Sequence, residues 1–290
     1  MMTGKKSIAS ALALLVTGSL LAAFDWPQTE IDSSSFFSYF GQLRGGTISS
    51  SLVFTDSDEI KAADKGRVIA TLGEHDESLS LFESTLGNAV IIAHADNLLT
   101  VYANLSADEQ NMREVLTEVE TGTALGTCSN SGWQEGQGCL EFQVIDTKDH
   151  SYINPRVLMP RFGEELELTL RNITAVNKKG TEIALGVQRT VPVGVYSFYK
   201  QRQEKAVPYR TTVYVNGVAM QIISYDRLVQ VGSKLCTTGP KNYAVDMLYP
   251  DDKRELLGEI TLPKGRNTVS FVATDILGNE TALTYNMEAY

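Results

Sequence analysis

From residue 45 onward the chain is written in short apolar runs separated by turn residues. Residues 48–54, 59–63 and 66–72 read as extended segments, residues 78–82 alternate, and Gly87-Asn88 marks a turn. Residues 89–93 and 98–103 are two apolar runs separated by His94-Ala95-Asp96-Asn97, the pattern of a β-hairpin. One segment departs from strand patterning: residues 106–120 predict a helix, with Ser106 as N-cap and Glu109 three residues on completing a capping box. Residues 140–145 return to strand, and Asn154-Pro155 and Pro160 close the first half.

The second half begins near Phe162. Residues 166–174 alternate Leu with polar positions, and residues 209–215 alternate into Asn216-Gly217, a strong hairpin turn, and then into residues 218–224. Residues 255–262 and 268–274 are strands, followed by a turn over residues 275–281 and a last strand to Met287. Asp275 to Asn279 resembles the D-x-x-G-N turn of bacterial Ig-like domains, and an Asx-stabilised turn explains it better than calcium binding does. The chain is therefore expected to be all-β, its second half an Ig-like β-sandwich. No repeat or low-complexity linker separates the halves, so the boundary near residue 160 is expected to be tight.

The N-terminus changes the picture of where the protein works. Lys5 and Lys6 precede an uncharged apolar run from Ile8 to Ala23, about 16 residues against the roughly 20 of a membrane span. A basic start, a short apolar stretch and a small-residue end describe a signal peptide, with an uncleaved N-terminal anchor as the alternative. No later stretch is long enough to span a membrane. The expected plan is a signal peptide over residues 1–23, a first domain over 24–160 and a second over 161–290. Removing Lys5 and Lys6 with the leader takes the formal charge from -10 to about -12. Phosphate contacts need Lys and Arg, so nucleic acid is excluded as a partner.

Residues 24–44 carry an aromatic cluster, Phe36, Phe37, Tyr39 and Phe40, expected to flank or cover the first sheet. Cys128 and Cys139 bracket a Gly/Ser/Asn-rich loop. In an oxidising compartment they are candidates for a disulfide closing that loop; as two unpaired small hydrophobes in neighbouring strands they need no bond. Cys236 has no evident partner in the sequence.

An ordered series of motifs over residues 40–160 resembles the M23 (LytM-type) zinc peptidase domain. Phe40-Gly41 and Arg44 match the approach to that family's first core strand. Ile60, Ala62, Gly66 and Val68 fit its "V-x-A-x-x-x-G-x-V" hairpin. Gly87, Val90, Ile92 and His94 are similar to "G-x-x-V-x-I-x-H", and residues 100–105 to "T-x-Y-A-H-L". Val119, Gly122, Leu125 and Gly126 follow "V-x-x-G-x-x-I-G", residues 139–144 occupy "H-L-H-F-E-I", and Asn154-Pro155 its closing element. The resemblance implies an antiparallel β-sheet core.

The same resemblance implies a loss of chemistry. Family members hold zinc with a His and an Asp of an "H-x-G-x-D" strand and the second His of "H-L-H", while two further His assist. Here the first ligand pair falls near Ser49 and Val53, the "Y-A-H" histidine is Asn104, and the two "H-L-H" histidines are Cys139 and Glu141. No His, Asp or Glu occurs between Ser33 and Thr55. A catalytic zinc needs three protein ligands and an open position, and without it no bound water is brought to a pKa of about 7. His94 matches a non-catalytic family position; His75 and His150 sit in acidic loops with no evident partners.

The expectation is a pseudo-peptidase without cofactor or metal, exported to the periplasm or cell envelope. Its vestigial groove, lined by Ser49, Val53, Tyr102, Asn104, Cys139 and Glu141, is expected to bind peptidoglycan or an envelope protein such as a cell-wall hydrolase that it regulates. Two alternatives stand beside it. One is a structural module whose groove is filled by its own aromatic segment. The other is a metallopeptidase with a non-standard site that uses Glu141.

Overall fold

The computed structural model describes residues 24–56, 59–73, 84–107, 116–133 and 139–290. The signal-type segment, the expected strand at 78–82, His75 and the middle of the expected 106–120 helix lie outside these residues. Among the described residues no helix is long and apolar enough to cross a membrane.

Alternation builds the first sheet. In Ala89–Ala93, Val90 and Ile92 enter the core while Ala89 and Ile91 face the opposite side. The hairpin to Leu98–Ala103 closes through Asp96 and Asn97, both at positive φ, a conformation these residue types tolerate. Antiparallel pairing then orders Glu118–Val119, Gly66–Leu72, Ala89–Ala93, Leu98–Ala103, Glu141–Asp146 and Ser151–Ile153 side by side. One edge of Glu141–Asp146 is divided. Leu52 and Val53 pair with its first two residues and Ser151–Ile153 with its last three.

The helical reading of residues 106–120 is corrected at its C-terminal end. Glu118 and Val119 form a short strand on Gly66 and Arg67, and Val119 is buried in the first core. At these two residues the burial of one apolar side chain and an available strand edge decide the conformation.

The second half is a two-sheet sandwich. Glu182–Ala184, Thr174–Asn177, Gly194–Gln201 and Arg254–Leu262 form one sheet. Facing it are Arg210–Val215, Gly265–Thr274 and Glu280–Ala289, with Phe198, Ile260, Val213 and Phe271 among the residues of the shared core. Asn216-Gly217 turns the chain with both residues at positive φ, as the hairpin signal predicts. Asp275 Oδ1 accepts from the backbone N–H of Leu277 at 2.9 Å and of Asn279 at 2.8 Å, which accounts for the turn as an Asx turn. Residues 166–173 alternate as expected, with Leu168 and Leu170 buried, but form no ladder. The Gln203 side chain stands in for a partner strand, accepting from Thr169 N at 2.8 Å and donating to Glu167 O at 3.0 Å.

The two halves share one sheet. Val218–Val231 runs for 14 residues. Its first half pairs with Arg210–Val215, and Arg227, Leu228 and Val229 pair with Ser151–Ile153 of the first domain. The first core accordingly joins Phe36, Phe54, Tyr102 and Phe142 to Ile223, Tyr225 and Tyr249. Gly41 sits at this junction with φ +85, and its carbonyl accepts from Tyr249 Oη at 2.8 Å. A Cβ there would stand 2.9 Å from Tyr225 Cδ1, so only glycine fits both the backbone and the space. Behind Tyr225, Lys200 and Glu255 form an ion pair of 2.8 Å, and the Tyr225 hydroxyl donates to Glu255 at 3.2 Å.

The aromatic segment belongs to the core. Phe36–Ser38 pairs with Leu52–Phe54, and Phe36 packs on Trp26, Tyr39, Phe54 and Phe162. The Arg156 guanidinium lies over Phe36, Tyr39 and Phe162 and pairs with Glu165.

Candidate functional site

Glu141 opens its strand opposite Val53 and Ala103. Because Phe142 and Val144 point into the core, Glu141 and Gln143 point to the other face. A cleft of 410 Å³ opens there. Its near wall is the two-stranded hairpin of Leu43–Arg44 and Thr47–Ile48, turned by Gly45 and Gly46 at positive φ, and the serines 49–51 that follow. Thr85, Leu86 and Trp133 form the far wall, and Leu235 from the second half closes one corner.

The floor is a hydrogen-bonded carboxylate. Arg44 Nη1 donates to Glu141 Oε2 at 3.1 Å and Ser51 Oγ donates to Glu141 Oε1 at 2.8 Å. Gln143 Nε2 adds a bond of 3.3 Å to the same Oε1, and Ser49 Oγ lies 3.3 Å from Ser51 Oγ. Charge-assisted bonds of this kind fix a carboxylate in place and offset the cost of its burial.

The far wall is pinned by backbone and side-chain bonds. Cys128 and Cys139 form a disulfide with their Cα atoms 5.6 Å apart. Asn104, fully buried at φ +66, donates to Cys139 O at 2.8 Å and accepts from Gly132 N at 2.9 Å. Ser131 Oγ donates to Leu105 O at 2.9 Å, and Trp133 N donates to Thr85 O at 2.9 Å. At the end of the stretch 128–133 held by these bonds, the Trp133 side chain stands 70% exposed.

Of the six residues expected to line the groove, Ser49 and Glu141 do so. Tyr102 faces the opposite way: it packs on Phe142, and its oxygen accepts from Ala63 N at 2.7 Å. Burial pushes its phenol up to about 12. Val53 pairs opposite Glu141 but is wholly covered. Asn104 is a buried bridge to the disulfide loop and Cys139 is half of that disulfide. Val53 is the cross-strand partner of Glu141, and the side chain that bonds the carboxylate is that of Ser51, two residues earlier on the same strand approach. Trp133 and Gln143 had not been anticipated. A lone Trp in a Gly/Ser loop and a polar residue at the outward position after Glu141 are the signals that could have found them.

His94 is structural, with Nδ1 2.9 Å from Lys65 O, Nε2 2.7 Å from Thr100 Oγ1 and its ring 5.0 Å from that of Phe24. His150 lies in the exposed turn between Glu141–Asp146 and Ser151–Ile153. Among the described residues no group of three His, Cys, Asp or Glu side chains comes together to hold a metal.

The first half is thus an antiparallel sheet with a cleft over the first residue of its Glu141–Asp146 strand. The model for peptidase family M23 matches residues 50–155, and a second family model matches residues 167–290. An uncharacterized protein of Treponema pallidum (strain Nichols) is 35% identical over 132 residues, covering 42% of this chain and 86% of that protein. The chain belongs to the family of that treponemal protein and carries an M23 domain.

Proposed function

We propose that the M23 domain is a non-catalytic binding module of the cell envelope, holding peptidoglycan or an envelope partner in the cleft over Glu141. The observation that carries this reading is the pairing of Glu141 with Arg44 and Ser51. Glu141 is the one acidic group at the positions that match the family's ligands. Its two oxygens face a guanidinium and a hydroxyl instead of converging with other ligands on an open coordination position. A cation beside Arg44 would meet direct charge repulsion.

Export to the periplasm or envelope follows from the signal-type N-terminus and is supported by the Cys128–Cys139 disulfide, since such bonds persist in oxidising compartments. The aromatic segment 36–40 packs in the core and the cleft walls are other residues, which favours binding over a self-filled groove. Two measurements test the reading on the purified chain. Elemental analysis is expected to give substoichiometric zinc, and co-sedimentation with cell-wall sacculi or capture of an envelope protein is expected to be positive. Stoichiometric zinc lost on Glu141→Ala, or the absence of both kinds of binding, would overturn it.

A further inference from the structure

We propose that the cleft takes a hexopyranose of a glycan chain, stacked on Trp133, so that the sugar and not the peptide part of a wall polymer is recognised; this rests on the binding-module reading above. Trp133 is 70% exposed, yet the backbone that leads to it is held by the Cys128–Cys139 disulfide and by bonds from residues 131–133 to Thr85, Leu105 and Asn104. A large aromatic face kept in water on a hydrogen-bonded backbone is a preorganised contact surface. The C–H face of a pyranose ring offers a flat apolar partner to an indole.

The cleft is also lined by groups that suit sugar hydroxyls. Thr47, Ser50 and Thr85 each donate and accept, and Gln143 does both through its amide. The two charges of the cleft, Arg44 and Glu141, are paired with each other at 3.1 Å. A peptide rich in free carboxylates would have to break that pair, whereas a neutral sugar leaves it intact. The volume of 410 Å³ falls within the about 300–1,000 Å³ usual for small-ligand sites.

The test uses the full chain, a soluble N-acetylglucosamine hexamer, and a tetrapeptide with free carboxylates, followed by tryptophan fluorescence and calorimetry. Trp26 is packed against Phe36 and Phe162, so a saturable spectral change on adding hexamer is expected to come from Trp133. Trp133→Ala is expected to weaken hexamer binding about tenfold or more, and Trp133→Phe to retain part of it. Trp133 is exposed, so unchanged thermal melts of both variants separate lost binding from lost folding. Hexamer binding that is insensitive to Trp133→Ala overturns the proposal, as does saturable binding of the tetrapeptide without the hexamer. If sacculi bind while the hexamer does not, the glycan assignment falls and the binding-module reading stands. If neither sacculi nor envelope proteins bind, that reading falls and takes the glycan assignment with it.

Discussion

Lys200 and Glu255 lie directly opposite each other on neighbouring strands, 2.8 Å apart, with 1% and 2% of their side chains exposed. A pair so far from water is held by its mutual charge and by the Tyr225 hydroxyl on Glu255. Removing one member strands the other. Lys200→Met is expected to cost about 3–5 kcal/mol, and the double variant Lys200→Met/Glu255→Leu to recover most of that loss. Urea unfolding of the parent, both single variants and the double variant checks it. Additive losses would show that the two charges are not coupled.

The cleft pair is less deeply placed, with Arg44 17% and Glu141 11% exposed. Arg44→Ala leaves a largely buried carboxylate with Ser51 and Gln143 as donors but no cation. A loss of about 1–3 kcal/mol is expected, read as a lower urea midpoint with an unchanged slope. Ser51→Ala removes a single neutral donor and is expected to cost about 1 kcal/mol. The reverse order of the two variants would mean that the guanidinium is not what balances Glu141.

Reducing the Cys128–Cys139 bond frees a loop whose ends are 11 residues apart. A loss of about 2–3 kcal/mol is expected from loop-closure entropy. Asn104 continues to bridge Gly132 and Cys139, so secondary structure should persist. Denaturation curves with and without reductant measure the loss, and circular dichroism in the far ultraviolet checks the retained sheet.

Alkaline pH is expected to unfold the protein through its buried phenols. Burial raises the pKa of Tyr102 to about 12 and those of Tyr225 and Tyr249 well above the usual 10. The unfolded chain gives up these protons first, so it binds fewer protons than the native state above pH 10. The stability is therefore complete below about pH 10 and is lost as pH rises from there through about 12. Thermal melts across that range should fall steeply. Tyrosinate absorbance of these three residues should appear together with loss of the fold and not before it.

Much of the scaffold was legible in the residues. The 89–103 hairpin, the Asn216-Gly217 turn and the Asx turn at Asp275 are all local: the turn chemistry and the apolar alternation agree within a few positions. Non-local choices were hidden. Nothing near Glu118 says that Gly66 offers an open edge, and nothing near Leu168 says that a Gln203 side chain will serve as its neighbour. The site divides in the same way. Glu141 was visible from motif order, and the disulfide stood as one of two readings. Tyr102 was misplaced because motif position says nothing of which sheet face a side chain takes, while strand alternation sends it inward beside Phe142. The bond from Ser51 to Glu141 was not legible because it depends on how residues 49–53 approach the strand that begins at Glu141.

The long strand Val218–Val231 closes the sheet of a domain whose other strands end some 65 residues earlier in the chain. A chain made N-terminus first therefore emerges with Ser151–Ile153 still an open edge and the core around Phe142 without Tyr225. Completion must wait for residues that follow the Asn216-Gly217 turn. Until then the uncovered edge is a template for any passing strand, so the interval between the two segments sets how long the unfinished chain needs guarding.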